Sequence, residues 1–355
     1  MRFSASIPLY IAAFGTLWLG CLSCANPLPL PGGTPPRRVV DIPGIEIEKA
    51  HPAGKGKTYT ALVRYYDKPG FLKCTKRVSA FKRERTTLRA IHTGNWGIDR
   101  VSSKAKKLFV DLLEEFPPSN NYYCLLLERL SWPRLSDYAS GLSPEKKDQL
   151  LPDIFVQIIT AYHRHDILAL KYLHRLNRVH GDIKPQNIII DDTLSDAPRA
   201  ILIDFDGAQL VDEDLKYPVS GTNGYRPPED YYSRPVNLYK RDSWMLGATL
   251  YSALTGRPPY KHISVLPLPN KELDYAIMGA RMRNIARSGT NTFAQVKNSH
   301  NTNLLALMDK LLTVKVKNRP AVSELDASMM YNLARNDRIR AYLSQLWSKV
   351  TALVP

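Results

Sequence analysis

The sequence predicts an α+β fold in two lobes, a small β-rich one followed by a larger helical one, and three observations carry that expectation. Between Ile45 and about Leu130 the apolar residues fall in short β-branched or aromatic runs broken by Gly, Pro and polar clusters, which is the pattern of strands. After Leu135 the apolar residues recur at helical spacing over longer stretches. The chain has 355 residues, 44% of them hydrophobic, enough to bury a real core and to exclude disorder.

The strands come first. IEIEKA (45–50), TYTALVRYY (58–66), FLKCTK (71–76) and YYCLLLE (122–128) each read as one. A helix interrupts them from Ser79 to Ile91, with Phe81, Leu88 and Ile91 at helical spacing. Further helices are expected in Gln149 to Leu176, Asp242 to Leu254 and Thr302 to Leu312, and the runs ending Ile188-Ile189-Ile190 and Ile201-Leu202-Ile203 read as a short hairpin. There is no internal repeat. The boundaries are a small lobe over 45–130 and a large lobe over 131–355 that ends in a C-terminal helical extension.

The amino end reads as a routing signal. Arg2 is followed by an uncharged apolar stretch from Ile7 to Leu22 and then Ser23-Cys24-Ala25, whose small residues suit cleavage after Ala25. Residues 1–25 are therefore expected to be a signal peptide; the alternative is a retained membrane anchor, since Ile7 to Ala25 is almost long enough to span. Residues 26–44 are rich in Pro and Gly and read as a linker. Cys21 and Cys24 fall in the segment expected to be removed, leaving Cys74 and Cys124. A bridge between them and two buried thiols both remain open at this point. No N-x-[ST] sequon occurs.

The chain carries 49 Lys+Arg against 33 Asp+Glu, a formal net charge of +16, and residues 71–110 hold eleven of those cations with only Glu84 and Asp99 against them. Such a block attracts nucleic acid, an anionic membrane or an acidic protein, although most basic runs are solvated faces.

The densest cluster of chemistry-bearing residues is HGDIKPQNIIIDDTLSDAPRAILIDFDGAQ, His180 to Gln209. It resembles the catalytic loop and metal-binding segment of eukaryotic-type protein kinases, H-x-D-x-K-x-x-N followed by D-F-x. The resemblance implies a two-lobed protein-kinase-like fold that binds ATP with two Mg²⁺ between its lobes. Within it Asp182 matches the residue that orients the attacking hydroxyl and accepts its proton. Lys184 would neutralise charge on the transferred group, and Asn187 and Asp204 would supply oxygen ligands to the metals. H-G-D with I-D-F-D also resembles aminoglycoside and choline phosphotransferases. The downstream sequence favours protein kinases: Gly221 to Glu229 (GTNGYRPPE) resembles the end of an activation segment, with Thr222 and Glu229 at its marked positions. Asp242-Ser243-Trp244-Met245-Leu246-Gly247 resembles the helix that follows, and Arg319 matches the arginine that pairs with Glu229. Lys184 and Thr222 together favour Ser/Thr specificity.

In the small lobe Lys73 resembles the phosphate-binding lysine and Glu84 its ion-pair partner, with Leu127 at the gatekeeper and Glu128 at the first hinge position. Gly54 and Gly56 match two of the three glycines of the phosphate-covering loop, while Tyr59 takes the third place. Two further departures stand in the large lobe. Gly181 replaces the Arg that usually receives an activation-segment phosphate, so activity should not depend on that switch. Asp206 replaces Gly after Asp204-Phe205, which fungal branches of the family tolerate and which is expected to put another carboxylate near the metals. The resemblance thus points to a fungal secreted Ser/Thr kinase, with a secreted pseudokinase acting as a scaffold or effector as the alternative; the complete set Lys73, Glu84, Asp182, Asn187 and Asp204 favours activity. It implies a monomer acting on a protein substrate and open to an acidic partner, with nucleic acid disfavoured and no membrane contact unless the leader is retained. The expected location is outside the cell or in the secretory lumen, or inside a host cell after delivery.

Overall fold

The computed structural model describes residues 40–51, 58–93, 106–159, 169–193, 198–212, 216–260, 271–337, 339–341 and 343–344. Its small lobe is a five-stranded antiparallel sheet in the order β1-β2-β3-β5-β4, from β1 (Ile45–His51), β2 (Thr58–Tyr65), β3 (Lys68–Thr75), β4 (Leu112–Ser119) and β5 (Tyr122–Glu128). Four of these are the strands read from the sequence. The fifth, β4, was not anticipated, because LLEEFPPS carries two glutamates and two prolines. It lies at the sheet edge, where Pro need not donate to a neighbour.

Alternation sets the register. On β2, Tyr59, Ala61 and Val63 are buried on one face, and on β3 so are Leu72 and Cys74. These join Val40, Ile42, Tyr122, Cys124 and Leu126 in one apolar cluster. Val40 and Ile42 fall in the span expected to be linker, 26–44, but at 3% and 9% exposure their packing carries the small lobe back to Val40. Residues 1–39, which hold the expected leader, lie outside the described residues. Among those described, no helix is long and apolar enough to cross a membrane. Cys74 and Cys124 face each other across β3 and β5 and are joined as a disulfide, which settles the alternative the sequence left open. Helix α1 (Val78–Thr93) buries Phe81, Leu88 and Ile91, as its spacing indicated.

The large lobe is built from α2 (Leu135–Ser140), α3 (Pro144–Ile159), α4 (Ala169–Arg175), α5 (Leu238–Thr255), α6 (Lys271–Ser288), α7 (Thr302–Leu311) and α8 (Ala327–Leu333). The stretch expected to be helical from Gln149 to Leu176 is described as α3 and α4, and 160–168 lie outside the described residues. Pro152 sits inside α3 and cannot donate to the Asp148 carbonyl. Asn301 Nδ2 donates to that carbonyl instead, at 3.1 Å.

Helix α5 is buried almost all round, from Leu238 to Leu254, the mark of a central helix. Gly247 lets it pack closely, since a Cβ there would lie 2.8 Å from that of Leu311. The short strands β6 (Arg178–Val179) and β9 (Gln209–Leu210) pair, and β7 (Ile188–Asp191) pairs with β8 (Arg199–Leu202) as the expected hairpin.

One buried ion pair ties Glu229 to this scaffold. Arg319 Nη1 and Nη2 donate to Glu229 Oε1 and Oε2 at 2.5 and 3.1 Å, and the guanidinium lies 4.7 Å above the Trp244 ring. Breaking such a pair leaves an uncompensated buried charge. Glu229→Gln is accordingly expected to cost about 3–5 kcal/mol, read as a lower urea midpoint; a midpoint equal to wild type would contradict this account.

Candidate active site

Lys73 sits between Leu72 and Cys74 on β3, so alternation turns it away from their apolar face and toward the space between the lobes. Its Nζ donates to Glu84 Oε1 on α1 at 2.8 Å and to Asp204 Oδ1 at 2.6 Å. Burial works against the ammonium, but Asp204 and Glu84 outweigh it and hold Lys73 above the usual lysine range. Burial pushes Glu84 up against the pull of Lys73. Burial also opposes the Asp204 charge, yet Lys73 prevails there and brings that carboxyl down to about 2. The two acids respond differently because the carboxylates of Asp204 and Asp206 add to the upward push on Glu84, whereas Lys184 and His180 add to the downward pull on Asp204. Glu84 Oε1 further accepts the Phe205 N–H at 3.3 Å, so one side chain fixes both the lysine and the segment that carries Asp204. Asp204 itself has φ +66, a left-handed conformation that Asp tolerates better than bulky residues.

The loop between β6 and β7 is held from below by Asp242. Its carboxylate accepts from the backbone N–H groups of His180 and Gly181 at 2.8 and 3.0 Å and from His174 Nε2 at 3.1 Å. Burial opposes that charge, but the His174 hydrogen bond leads a set of contacts that keep the carboxyl below its ordinary range. Above it, Asp182 Oδ1 accepts from both the N–H and the hydroxyl of Thr222, each at 2.8 Å. Lys184 Nζ donates to Asp182 Oδ2 at 2.6 Å and to Thr222 Oγ1 at 2.9 Å. Asn187 Nδ2 donates to the Asp182 carbonyl at 2.9 Å.

These groups meet in a cleft of about 940 Å³ whose lining includes Lys73, Leu127, Glu128, Lys184, Asn187, Asp204 and Thr222. Of the site residues read from the sequence, these seven line the cleft, Glu84 and Asp182 are bonded to them through Lys73 and Lys184, and Asp242, Glu229 and Arg319 lie in the scaffold behind. Gly54 and Gly56 lie outside the described residues. The sequence reading missed the apolar walls, Phe71, Val110, Leu130, Ile189 and Ile203. Phe71 was within reach, since it shares a strand face with Lys73 two residues on. Ile189 was not, because β7 is buried throughout and has no alternation to read.

Asp204 and the side-chain oxygen of Asn187, whose nitrogen is already engaged, offer the hard oxygen donors that Mg²⁺ prefers. Among the described residues no group of three or more His, Cys, Asp or Glu could hold a metal ion unaided.

Asp206 puts a further carboxylate beside Asp204 and Lys73, as expected, and it is engaged there by two arginines. Its carboxylate accepts from Arg77 Nη2 at 3.0 Å and its carbonyl from Arg83 Nε at 2.7 Å, so it faces the cations before and within α1. Burial, and next the neighbouring Asp204, push its carboxyl up. Other cations of the 71–110 block are also engaged internally: Arg89 Nη2 donates to Glu115 Oε2 at 2.7 Å, and Lys106 Nζ to the His92 carbonyl at 2.6 Å. These cations of the block are thus engaged by carboxylates and carbonyls of the chain itself.

Comparison with known proteins agrees with this geometry. Residues 66–329 match the family model described as the protein kinase domain. The chain is 35% identical over 97 residues to the serine/threonine-protein kinase RUNKEL of Arabidopsis thaliana, covering 26% of this chain and 7% of that one. It is 31% identical over 164 residues to the serine/threonine-protein kinase ULK3 of Xenopus laevis, covering 46% and 32%. With the serine/threonine-protein kinase DCLK1 of Rattus norvegicus it shares 41% identity over 93 residues, covering 26% and 21%. The chain spans between 7% and 53% of the length of the first curated relatives it matches.

Proposed function

The chain belongs to the protein kinase domain family, and on that premise we propose that it transfers the γ-phosphoryl group of ATP to a serine or threonine hydroxyl of a protein. The observation that carries the reading is the closed set of hydrogen bonds among Asp182, Lys184 and Thr222 in the same cleft as the Lys73 bridge. Asp182 presents a carboxylate at a fixed position, suited to orient a hydroxyl and take its proton. Lys184 brings a cation to the same point, where negative charge develops on the transferred group. Lys73, held by Glu84, places a second cation where the earlier phosphates would lie. Asn187 and Asp204 would hold Mg²⁺, which when bound neutralises phosphate oxygens and aligns the triphosphate.

Thr222 supports the Ser/Thr assignment, because its hydroxyl and N–H hold Asp182 in place beside Lys184. The intact Lys73–Glu84 pair supports an active enzyme over a scaffold, since that pair must be in place for transfer. Asp182→Asn and Asp204→Asn are expected to lower phosphate incorporation into a mixed protein substrate by about 10²–10⁴-fold, with the wild-type product carrying phosphoserine and phosphothreonine. Wild-type incorporation no greater than that of either variant sinks the proposal.

A secretory location belongs to the same reading. The apolar leader and the Cys74–Cys124 disulfide support an oxidising compartment. N-terminal sequencing of the protein recovered from the medium of a secreting host should begin at Asn26; retention of the chain inside the cell with Met1 or Arg2 at its start would contradict it.

A further inference from the structure

In the family pattern the residue before the catalytic Asp is an Arg that meets a phosphate on the activation segment; here it is Gly181. The structure shows why no side chain stands there. Gly181 has φ +77, and a Cβ would overlap the Gly207 carbonyl oxygen. The backbone just after Asp204 closes over the space from which a side chain would leave.

A cation nevertheless reaches this junction, from a different element. Arg241 on α5 is 1% exposed. Its Nη1 donates to the Gly181 carbonyl at 2.9 Å and its Nη2 to the Ser220 carbonyl. Gly221, next to Ser220, leaves room for this contact: a Cβ there would overlap Arg241 Nη2. The neighbouring Asp242 takes the Gly181 N–H. Two consecutive residues of α5 therefore hold both backbone polar groups of the residue before Asp182. Ser220 lies two residues before Thr222, which binds Asp182 on the other side. One guanidinium thus fastens the catalytic loop to the activation segment at the point where Asp182 meets Thr222.

A buried guanidinium needs a counter-charge. Where a segment is switched by phosphorylation, the added phosphate supplies it. Here it is encoded in the chain: Arg241 Nε donates to both Asp230 oxygens, at 3.0 and 2.8 Å, and Asp230, whose side chain is fully buried, also accepts from Arg226 Nε at 3.1 Å.

We propose that Arg241, neutralised by Asp230, is a positioning residue that anchors the activation segment to the catalytic loop permanently, so that the segment is set for transfer without being phosphorylated. The inference rests on the kinase reading, and its test separates the two. The purified chain is treated with a broad-specificity protein phosphatase and shown by intact mass to carry no phosphate. Hydrogen exchange over 216–226 and turnover with Mg-ATP are then measured. The treated protein should keep both its exchange protection and its turnover. Arg241→Lys keeps the charge but loses the fork, and is expected to expose those amides and lower kcat by about 10–100-fold, with Mg-ATP affinity changed by no more than about twofold. Should that variant fold poorly, Arg241→Met combined with Asp230→Leu replaces the buried pair by apolar side chains, a change proteins often tolerate, and should show the same loosened segment. Loss of most protection or turnover on dephosphorylation overturns the proposal, as does an Arg241→Lys enzyme with unchanged exchange and kcat. A protected segment in a dephosphorylated wild type whose turnover only matches Asp182→Asn supports the anchor and overturns the kinase reading instead.

Discussion

The Lys73 ammonium, bonded at once to Glu84 and Asp204, is the interaction on which the arrangement depends. It joins the central strand of the small lobe, the helix that follows it 11 residues on, and the segment that would carry the metal, 131 residues away. Its strength comes from enclosure, because charges taken out of water interact strongly and are costly to leave unpaired. A shift of α1 away from the sheet would break the pair and release Phe205, which Glu84 also holds. The cations before and within α1 that engage Asp206 reinforce the same closure from outside. Placement of α1, formation of the lysine site and placement of Asp204 are therefore one event.

The large lobe answers with a rigid base. Loops carry the candidate site groups, as they commonly do, and a buried scaffold positions them. Here that scaffold is α5, whose consecutive residues Arg241 and Asp242 grip the catalytic loop. Trp244 lies under the Arg319–Glu229 pair, and Gly247 allows close packing on α7. The charged side chains among these have lost their water, so Arg241, Asp242 and Arg319 are each matched by a partner. Matching is what turns a single helix into a reference frame for Asp182, Thr222 and Glu229 together.

Legibility in the sequence followed the range of the interactions. Asp182, Lys184 and Asn187 act within one loop, so their spacing survives in one dimension and can be read there. Lys73 and Glu84 could be placed through the family resemblance, which the strand pattern around Lys73 and the helical spacing around Glu84 support. Other features depend on what the chain meets after folding. Strand β4 hides behind Glu and Pro residues that only a sheet edge tolerates, and Val40 and Ile42 look like linker until the sheet covers them. The Cys74–Cys124 bridge depends on the register of β3 against β5, which two cysteines alone cannot specify. Arg241 was the least visible. In a chain with 49 Lys+Arg nothing local separates it from a solvated cation, and its role follows from Gly181 and Gly221 making room for it.

The central claim is that the Lys73 bridge completes a nucleotide site that is ready to bind, and calorimetry of ATP binding to the purified chain tests it most directly. ATP should bind only when Mg²⁺ is present, and Glu84→Gln, which weakens the hold on Lys73, should lower that affinity by about 10–100-fold, the weight of one charge-assisted hydrogen bond. Absence of binding by the wild-type chain with Mg²⁺, or equal affinity in the Glu84→Gln variant, would contradict the account.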